Sequence, residues 1–212
     1  MNVIFRDREE AGRRLAKKLA HYHGADAVVL AIPRGGIPVG TAVAHHLDLE
    51  WGVIVVRKLP IPWNPEAGFG AVAADGSVVL NDGMVQGLMM RQDQIDEVVR
   101  EVRAELDRRT EFLTSARPLP DIQGRCAIVI DDGLASGYTM LAAVKSLRER
   151  GASKVVAAAP VASRSAAGLV CPAADECILE IVSPSVPFAV ADFYLNWHDL
   201  TDDEIAPLLE TP

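Results

Sequence analysis

Cys126-Ala127-Ile128-Val129-Ile130-Asp131-Asp132-Gly133-Leu134-Ala135-Ser136-Gly137-Tyr138-Thr139-Met140 decides how this chain folds. The apolar run to Ile130 is short, rich in β-branched residues and closed by two acids, as in a buried parallel strand delivering carboxylates to its carboxyl edge. Ligands of open α/β sheets bind at that edge. Small, hydroxylated and glycine residues follow, and from Thr139 to Leu147 the apolar spacing becomes helical. A strand, a tight loop and a helix N-terminus result. The free N–H groups and positive dipole end of such a terminus hold a phosphate, and Ser136 and Thr139 add hydroxyl donors. Asp131 and Asp132 suit the vicinal hydroxyls of a ribose or the water shell of a magnesium ion. Together, strand end and loop describe a site for a sugar phosphate.

Outward from this stretch, β and α signals alternate. Ala27 to Pro33 reads as a strand, Arg34-Gly35-Gly36 as a tight loop and Ile37 to Leu47 as a helix. Two glycines allow close backbone approach to an anion, and Arg34 carries a permanent charge. Leu49 to Val56 forms a further strand ending in Arg57-Lys58, which serve either as contacts for a polyanion or as a solvated charge pair. Residues 59–70 hold three prolines and two glycines and are expected to form a long irregular loop of the kind that closes over sites. Trp63 within it either closes on a ligand or packs the loop. A hairpin turning at Asp75-Gly76 follows. The spacing then predicts one helix from Met84 to Leu113, its apolar stripe interrupted at Gln92 and Arg109, packed on the core or against a second subunit. Lys154 to Pro160 and Glu176 to Val182 read as strands around a short helix from Arg164 to Leu169. At the N-terminus, Asp7 and Glu10 form a capping-box pattern, and Thr201-Asp202-Asp203-Glu204 opens a last helix to about Leu209. The expected fold class is therefore α/β, an open parallel sheet with helices on both faces.

The whole chain of 212 residues is bounded as one α/β domain with a modest insertion. Its 21 basic and 29 acidic residues give a formal charge of −8 without a basic run, which argues against a nucleic-acid partner. An anionic substrate then needs local cations to overcome the global charge. Cys126, Cys171 and Cys177 suggest neither a disulfide framework nor a metal site, so structural thiols are expected. Residues 1–10 lack the apolar block of a signal peptide and no apolar span is long enough for a bilayer, so no membrane partner and a cytoplasmic location are expected. Neither histidine pair, His21 with His23 or His45 with His46, has zinc-site spacing.

The stretch 126–140 resembles the signature of the type I phosphoribosyltransferases, an apolar strand, two acids and an Ala-Ser/Thr-Gly-x-Ser/Thr loop that bind 5-phosphoribosyl 1-pyrophosphate. Pro33-Arg34-Gly35-Gly36 is similar to the family's pyrophosphate loop, and the run from Arg57-Lys58 to Gly70-Ala71-Val72 resembles an uncharacterised branch. The loop departs from the common pattern at Gly133, where some branches have a bulkier apolar residue, and at the large Tyr138. The resemblance implies a magnesium-dependent pentosyl transferase moving the phosphoribosyl group to a nitrogen acceptor such as a nucleobase, with release of pyrophosphate. It places the 5′-phosphate on Ala135, Ser136, Gly137, Tyr138 and Thr139, and the pyrophosphate near Arg34, Gly35, Gly36, Arg57 and Lys58. Asp131 and Asp132 become the catalytic acids and the magnesium ligands, directly or through water. Residues 59–118 become the lid, hairpin and long-helix insertion, and 183–212 a hood over the acceptor. Trp63, Phe193 and Tyr194 are candidates for the acceptor pocket, with Trp197 and His198 beside them, and core packing is the other reading of this aromatic tail. A homo-oligomer, first of all a dimer, is the assembly implied. The same fold also serves regulators that bind phosphoribosyl pyrophosphate or nucleotides without turnover, so that alternative stays open.

Overall fold

A computed structural model describes residues 4–210, so the first three residues of the N-terminal stretch and the last two of the hood segment lie outside the described residues. Strands β1 (Ala27–Ala31), β2 (Glu50–Val53), β6 (Cys126–Ile130), β7 (Lys154–Ser163) and β8 (Glu176–Ser183) form a sheet in the order β2-β1-β6-β7-β8. Every neighbouring pair in it is parallel. Strand side chains alternate between its faces. Val29 and Ala31 of β1 and Ile128 and Ile130 of β6 enter one core with α1 (Arg8–Lys18) and α2 (Gly36–Leu47). Val28, Leu30, Ala127 and Val129 enter the other, with α5 (Tyr138–Glu149) and α6 (Arg164–Val170). Burial on both faces explains the unbroken apolar runs of these strands, and truncating a fully buried side chain such as Ile128 to alanine costs about 2–5 kcal/mol.

Local signals set the helix ends. The Asp7 carboxylate accepts the Glu10 N–H at 2.8 Å and opens α1. Thr201 and Glu204 form a reciprocal capping box at the start of α7 (Asp202–Leu209). The Thr201 end matches its sequence pattern in full, whereas at Asp7 only half of the expected box forms, because the Glu10 carboxylate accepts the Arg6 N–H instead at 2.7 Å.

The segment between β2 and β6 departs from expectation. Arg57 and Lys58 do not end a strand of the main sheet, because that strand stops at Val53 and the chain enters a second, antiparallel sheet of β3 (Val56–Ile61), β4 (Asn64–Ala73) and β5 (Val78–Leu80). The irregular loop expected over 59–70 is therefore a hairpin turning at Pro62-Trp63. Its prolines are tolerated because Pro60 lies on an edge strand where the register shifts, Pro62 is in the turn, and Pro65 precedes the part of β4 that pairs with β5. The single helix expected from Met84 to Leu113 is two, α3 (Asp82–Gly87) and α4 (Gln92–Ala116). Met89 between them has φ 51°, and the Gln94 side chain accepts the Arg91 N–H at 3.0 Å to restart the helix. The cysteine expectation is also corrected: Cys171 and Cys177 form a disulfide, leaving Cys126 free. Among the described residues, no helix is long and apolar enough to cross a membrane.

Candidate functional site

Two loops meet at the carboxyl edge of the parallel sheet. β6 releases Asp131 and Asp132, and its neighbour β1 releases Pro33-Arg34-Gly35-Gly36, with Ile32 N–H donating to the Ile130 carbonyl at 2.8 Å. A Cβ on Gly35 would fall 1.9 Å from Asp132 Oδ2, and one on Gly36 would fall 2.7 Å from the Ile130 carbonyl oxygen. Only glycine fits both positions, so backbone lies directly against the acid pair. The Pro33–Arg34 peptide is cis.

The phosphate-type loop is anchored from β7. Leu134 N–H donates to the Val161 carbonyl at 2.8 Å, Ser163 N–H donates to the Leu134 carbonyl at 2.9 Å, and Ser163 Oγ donates to the Ala135 carbonyl at 2.7 Å. Ala135 and Ser136 stay exposed, while Gly137 turns with φ 85° against Val170 and Ala166 of α6. α5 then begins at Tyr138 with no side chain capping its first N–H groups, which leaves them for an anion.

The acid pair is held by Arg8, which the sequence did not single out, and by Tyr194, expected instead in the acceptor pocket. Asp132 N–H donates to Asp131 Oδ1 at 2.9 Å. Arg8 Nε donates to Asp132 Oδ2 at 2.7 Å, Arg8 Nη1 donates to the His198 carbonyl at 3.1 Å, and the guanidinium lies 3.9 Å over the Trp197 ring. Tyr194 Oη donates to the Asp132 carbonyl at 2.7 Å. Burial pushes the Asp131 carboxyl well above the usual range, and the Asp132 charge adds to the rise. Burial raises Asp132 too, with Arg8 opposing.

A cavity of about 320 Å³ opens beside the acids, lined among others by Arg8, Arg34, Asp132, Val190, Trp197 and Leu200. Of the aromatic candidates, Trp197 borders it. Tyr194 is 3% exposed and supports Asp132 from behind, with its ring 5.4 Å from Phe5. Phe193 stacks near Phe188 at 5.5 Å and lines a separate cavity of about 110 Å³. Trp63 is exposed at the hairpin tip. The structure thus does not bring Trp63, Phe193 and Tyr194 together in one pocket. At Gly133, a Cβ would fall 2.5 Å from Val190 Cγ1, so a residue of the C-terminal segment fills the space of the missing side chain.

The cations of the first loop and of β3 reach different partners. Arg34 Nη1 donates to the Leu200 carbonyl, and its Nε is 3.8 Å from Asp202. Arg57 pairs with Glu105 at 3.0 Å, and the Lys58 stem runs alongside Gly68. Arg109, which interrupts the stripe of α4, lies 3.5 Å from Asp202. For a divalent cation, no group of three or more His, Cys, Asp or Glu side chains converges among the described residues. Two adjacent carboxylates still fit magnesium, which keeps most of its water and takes further oxygens from substrate phosphates.

An acid pair at the end of a central parallel strand, a glycine loop against it and an uncapped helix start define an α/β protein with a cleft at the carboxyl edge of its sheet. The sequence profile of the phosphoribosyl transferase domain matches residues 73–196, more than half of the chain. Proteins from two strains of Mycobacterium tuberculosis, provisionally named phosphoribosyl transferases, are each 41% identical over 207 residues, which cover 98% of this chain and 46% of theirs. The chain thus spans about half the length of those relatives. The crystal structure of TT1426 from Thermus thermophilus superposes with a TM-score of 0.81 at 35% identity, covering 98% of both chains. The chain belongs to the phosphoribosyl transferase domain family.

Proposed function

We propose that this domain is a magnesium-dependent phosphoribosyltransferase that moves the 5-phosphoribosyl group of phosphoribosyl pyrophosphate to a nitrogen acceptor, in the first instance a nucleobase. The observation that carries this reading is the contact of Gly35 with Asp132, which joins an anion-type loop to a ribose-type acid pair in one cleft. In it, the 5′-phosphate rests on Ala135, Ser136, Gly137, Tyr138 and Thr139, and the ribose hydroxyls donate to Asp131 and Asp132. Arg34, Gly35, Gly36, Arg57 and Lys58 face the pyrophosphate. The C1–O bond to pyrophosphate breaks as the C1–N bond forms, pyrophosphate leaves with the bonding electron pair, and the acceptor nitrogen gives up its proton to the leaving pyrophosphate or to solvent. Positioning and electrostatics do the catalysis: cations stabilise the leaving group, and the acids favour positive charge developing on the sugar. Asp131 and Asp132 would hold magnesium, whose charge further stabilises the leaving pyrophosphate when it is bound. The cavity beside Trp197 is the place for the acceptor, in preference to Trp63, Phe193 or Tyr194.

A second reading, a regulator that binds phosphoribosyl pyrophosphate without turnover, is favoured by the Arg8 side chain already occupying Asp132. Pyrophosphate release, measured with magnesium, phosphoribosyl pyrophosphate and a panel of purines, pyrimidines and other nitrogen acceptors, separates the two. Transfer predicts release with at least one acceptor, reduced about 10²-fold or more in the double variant Asp131→Asn/Asp132→Asn. Tight binding without release across the panel selects the regulator. Unchanged phosphoribosyl pyrophosphate affinity by calorimetry, in a double variant that keeps its circular dichroism, would sink both.

A further inference from the structure

Two residues of α4 one helical turn apart, Glu105 and Arg109, pair with charged groups of other elements. Glu105 holds Arg57 at 3.0 Å. Arg109 retains only 20% of its side-chain exposure, with Nη2 3.5 Å from Asp202 Oδ1, and Arg34 Nε is 3.8 Å from the same oxygen. Three arginines from three separate elements therefore gather about two carboxylates, in a chain whose formal charge is −8. Burial lowers the pKa of the Arg109 guanidinium, the charges of Arg34 and Arg57 lower it further, and Asp202 opposes them. An aliphatic residue at 109 would continue the stripe of Val102, Leu106 and Leu113 without this repulsion. Three cations against two carboxylates leave one positive charge in surplus, which favours a further anion.

Asp202 is suited to giving up its place. It is 55% exposed, and its distances to both arginines exceed the 2.7–2.9 Å or so of a strong charge-assisted hydrogen bond. The start of α7 does not depend on it, because Thr201 and Glu204 supply the cap. A diphosphate offers more charge and more acceptor oxygens than one carboxylate, and planar guanidinium groups bind such oxygens two at a time.

Building on the function proposed above, we infer that Arg109 is a third pyrophosphate-positioning arginine beside Arg34 and Arg57, and that Asp202 is a resident carboxylate displaced when the diphosphate binds. Asp202 then acts as an internal competitor. Removing this acid strengthens anion binding, the opposite of what losing a merely structural ion pair between α4 and α7 would do.

Calorimetry of inorganic pyrophosphate and of phosphoribosyl pyrophosphate, both with magnesium, tests the inference on the whole chain. Arg109→Ala should weaken both affinities about tenfold or more, with Arg109→Lys recovering part of the loss. Asp202→Asn should tighten both about threefold or more, and this gain should shrink in the Arg109→Ala background. If wild type binds and the folded Arg109→Ala and Asp202→Asn variants match it, the inference is overturned and the transferase reading stands. A wild-type chain that binds neither ligand would overturn both.

Discussion

Arg8 and Asp132 keep only 8% and 13% of their side-chain exposure, and the charge-assisted bond between them is 2.7 Å long. In that setting, removing one partner strands the other in a poorly solvated place. Arg8→Ala should therefore destabilise the fold by about 3–5 kcal/mol in denaturant unfolding, and the double variant Arg8→Met/Asp132→Asn should recover much of the loss. A cost below about 1 kcal/mol for Arg8→Ala would mean that the pair is effectively solvated. Arg8 was hard to find in the sequence because its partner lies 124 residues away. One signal was present: an arginine opening a helix stands where the dipole favours acids, so it requires a reason outside the helix. Asp131, Asp132, Gly35 and Gly36 were legible because each acts within its own strand-to-loop motif. Tyr194 reads from the sequence as an aromatic candidate for the acceptor pocket, and only the tertiary fold places its phenol under the Asp132 backbone.

Among the elements, the five parallel strands and the helices beside them followed from local pattern, because burial on both faces leaves an unambiguous apolar run. The insertion did not. Three prolines and two glycines within 59–70 read as irregular, yet a two-stranded extension with shifted register accommodates them, and proline density alone does not separate that case from a loop. The break between α3 and α4 was equally hidden, because Val85 and Leu88 continue the apolar spacing up to the left-handed Met89. The Cys171–Cys177 bond spans six residues of sequence and ties the end of α6 to β8. Closing so short a loop stabilises by about 2 kcal/mol in the chain-entropy picture. Cys177→Ala should lower stability by roughly that amount. Thiol titration of the unreduced, denatured chain should find Cys126 alone, and reduction should expose all three cysteines. Three free thiols before reduction would refute the bridge. Because α6 backs Gly137, loosening it should also weaken the phosphate binding proposed for the loop.

Across the whole molecule, an acidic chain lines one cleft with Arg8 and Arg34, brings Arg109 to the Asp202 carboxylate that Arg34 also approaches, and holds two acids of low exposure beside it. The energetic consequence is clearest at Asp131. Its folded pKa lies above its unfolded value, so the folded state binds the proton more tightly. The contribution to stability is then fully present below the unfolded pKa of 3.8 and is lost as pH rises through the folded pKa. Above the unfolded pKa, that raised folded pKa makes Asp131 a net penalty to stability. Asp131→Asn removes the titrating group while its amide oxygen can still accept the Asp132 N–H. The variant should thus unfold at a higher temperature than wild type at pH 7, by about 2–4 °C for each kcal/mol relieved, and the advantage should vanish towards pH 3. Carboxylates with lowered pKa values run the other way. Asp75 is bonded by Ser146 Oγ at 2.5 Å and by the Ser77 N–H at 2.9 Å, so its support is present above the unfolded pKa of 3.8 and fades as pH falls through the lower folded value. Wild type should therefore lose stability in acid through Asp75 and its like while Asp131 partly offsets that loss. Thermal unfolding of both proteins from pH 3 to 8 measures the difference directly. A gap that does not change with pH would mean that Asp131 is not titrating between the folded and unfolded states, and the gain or loss would have to be assigned to packing instead.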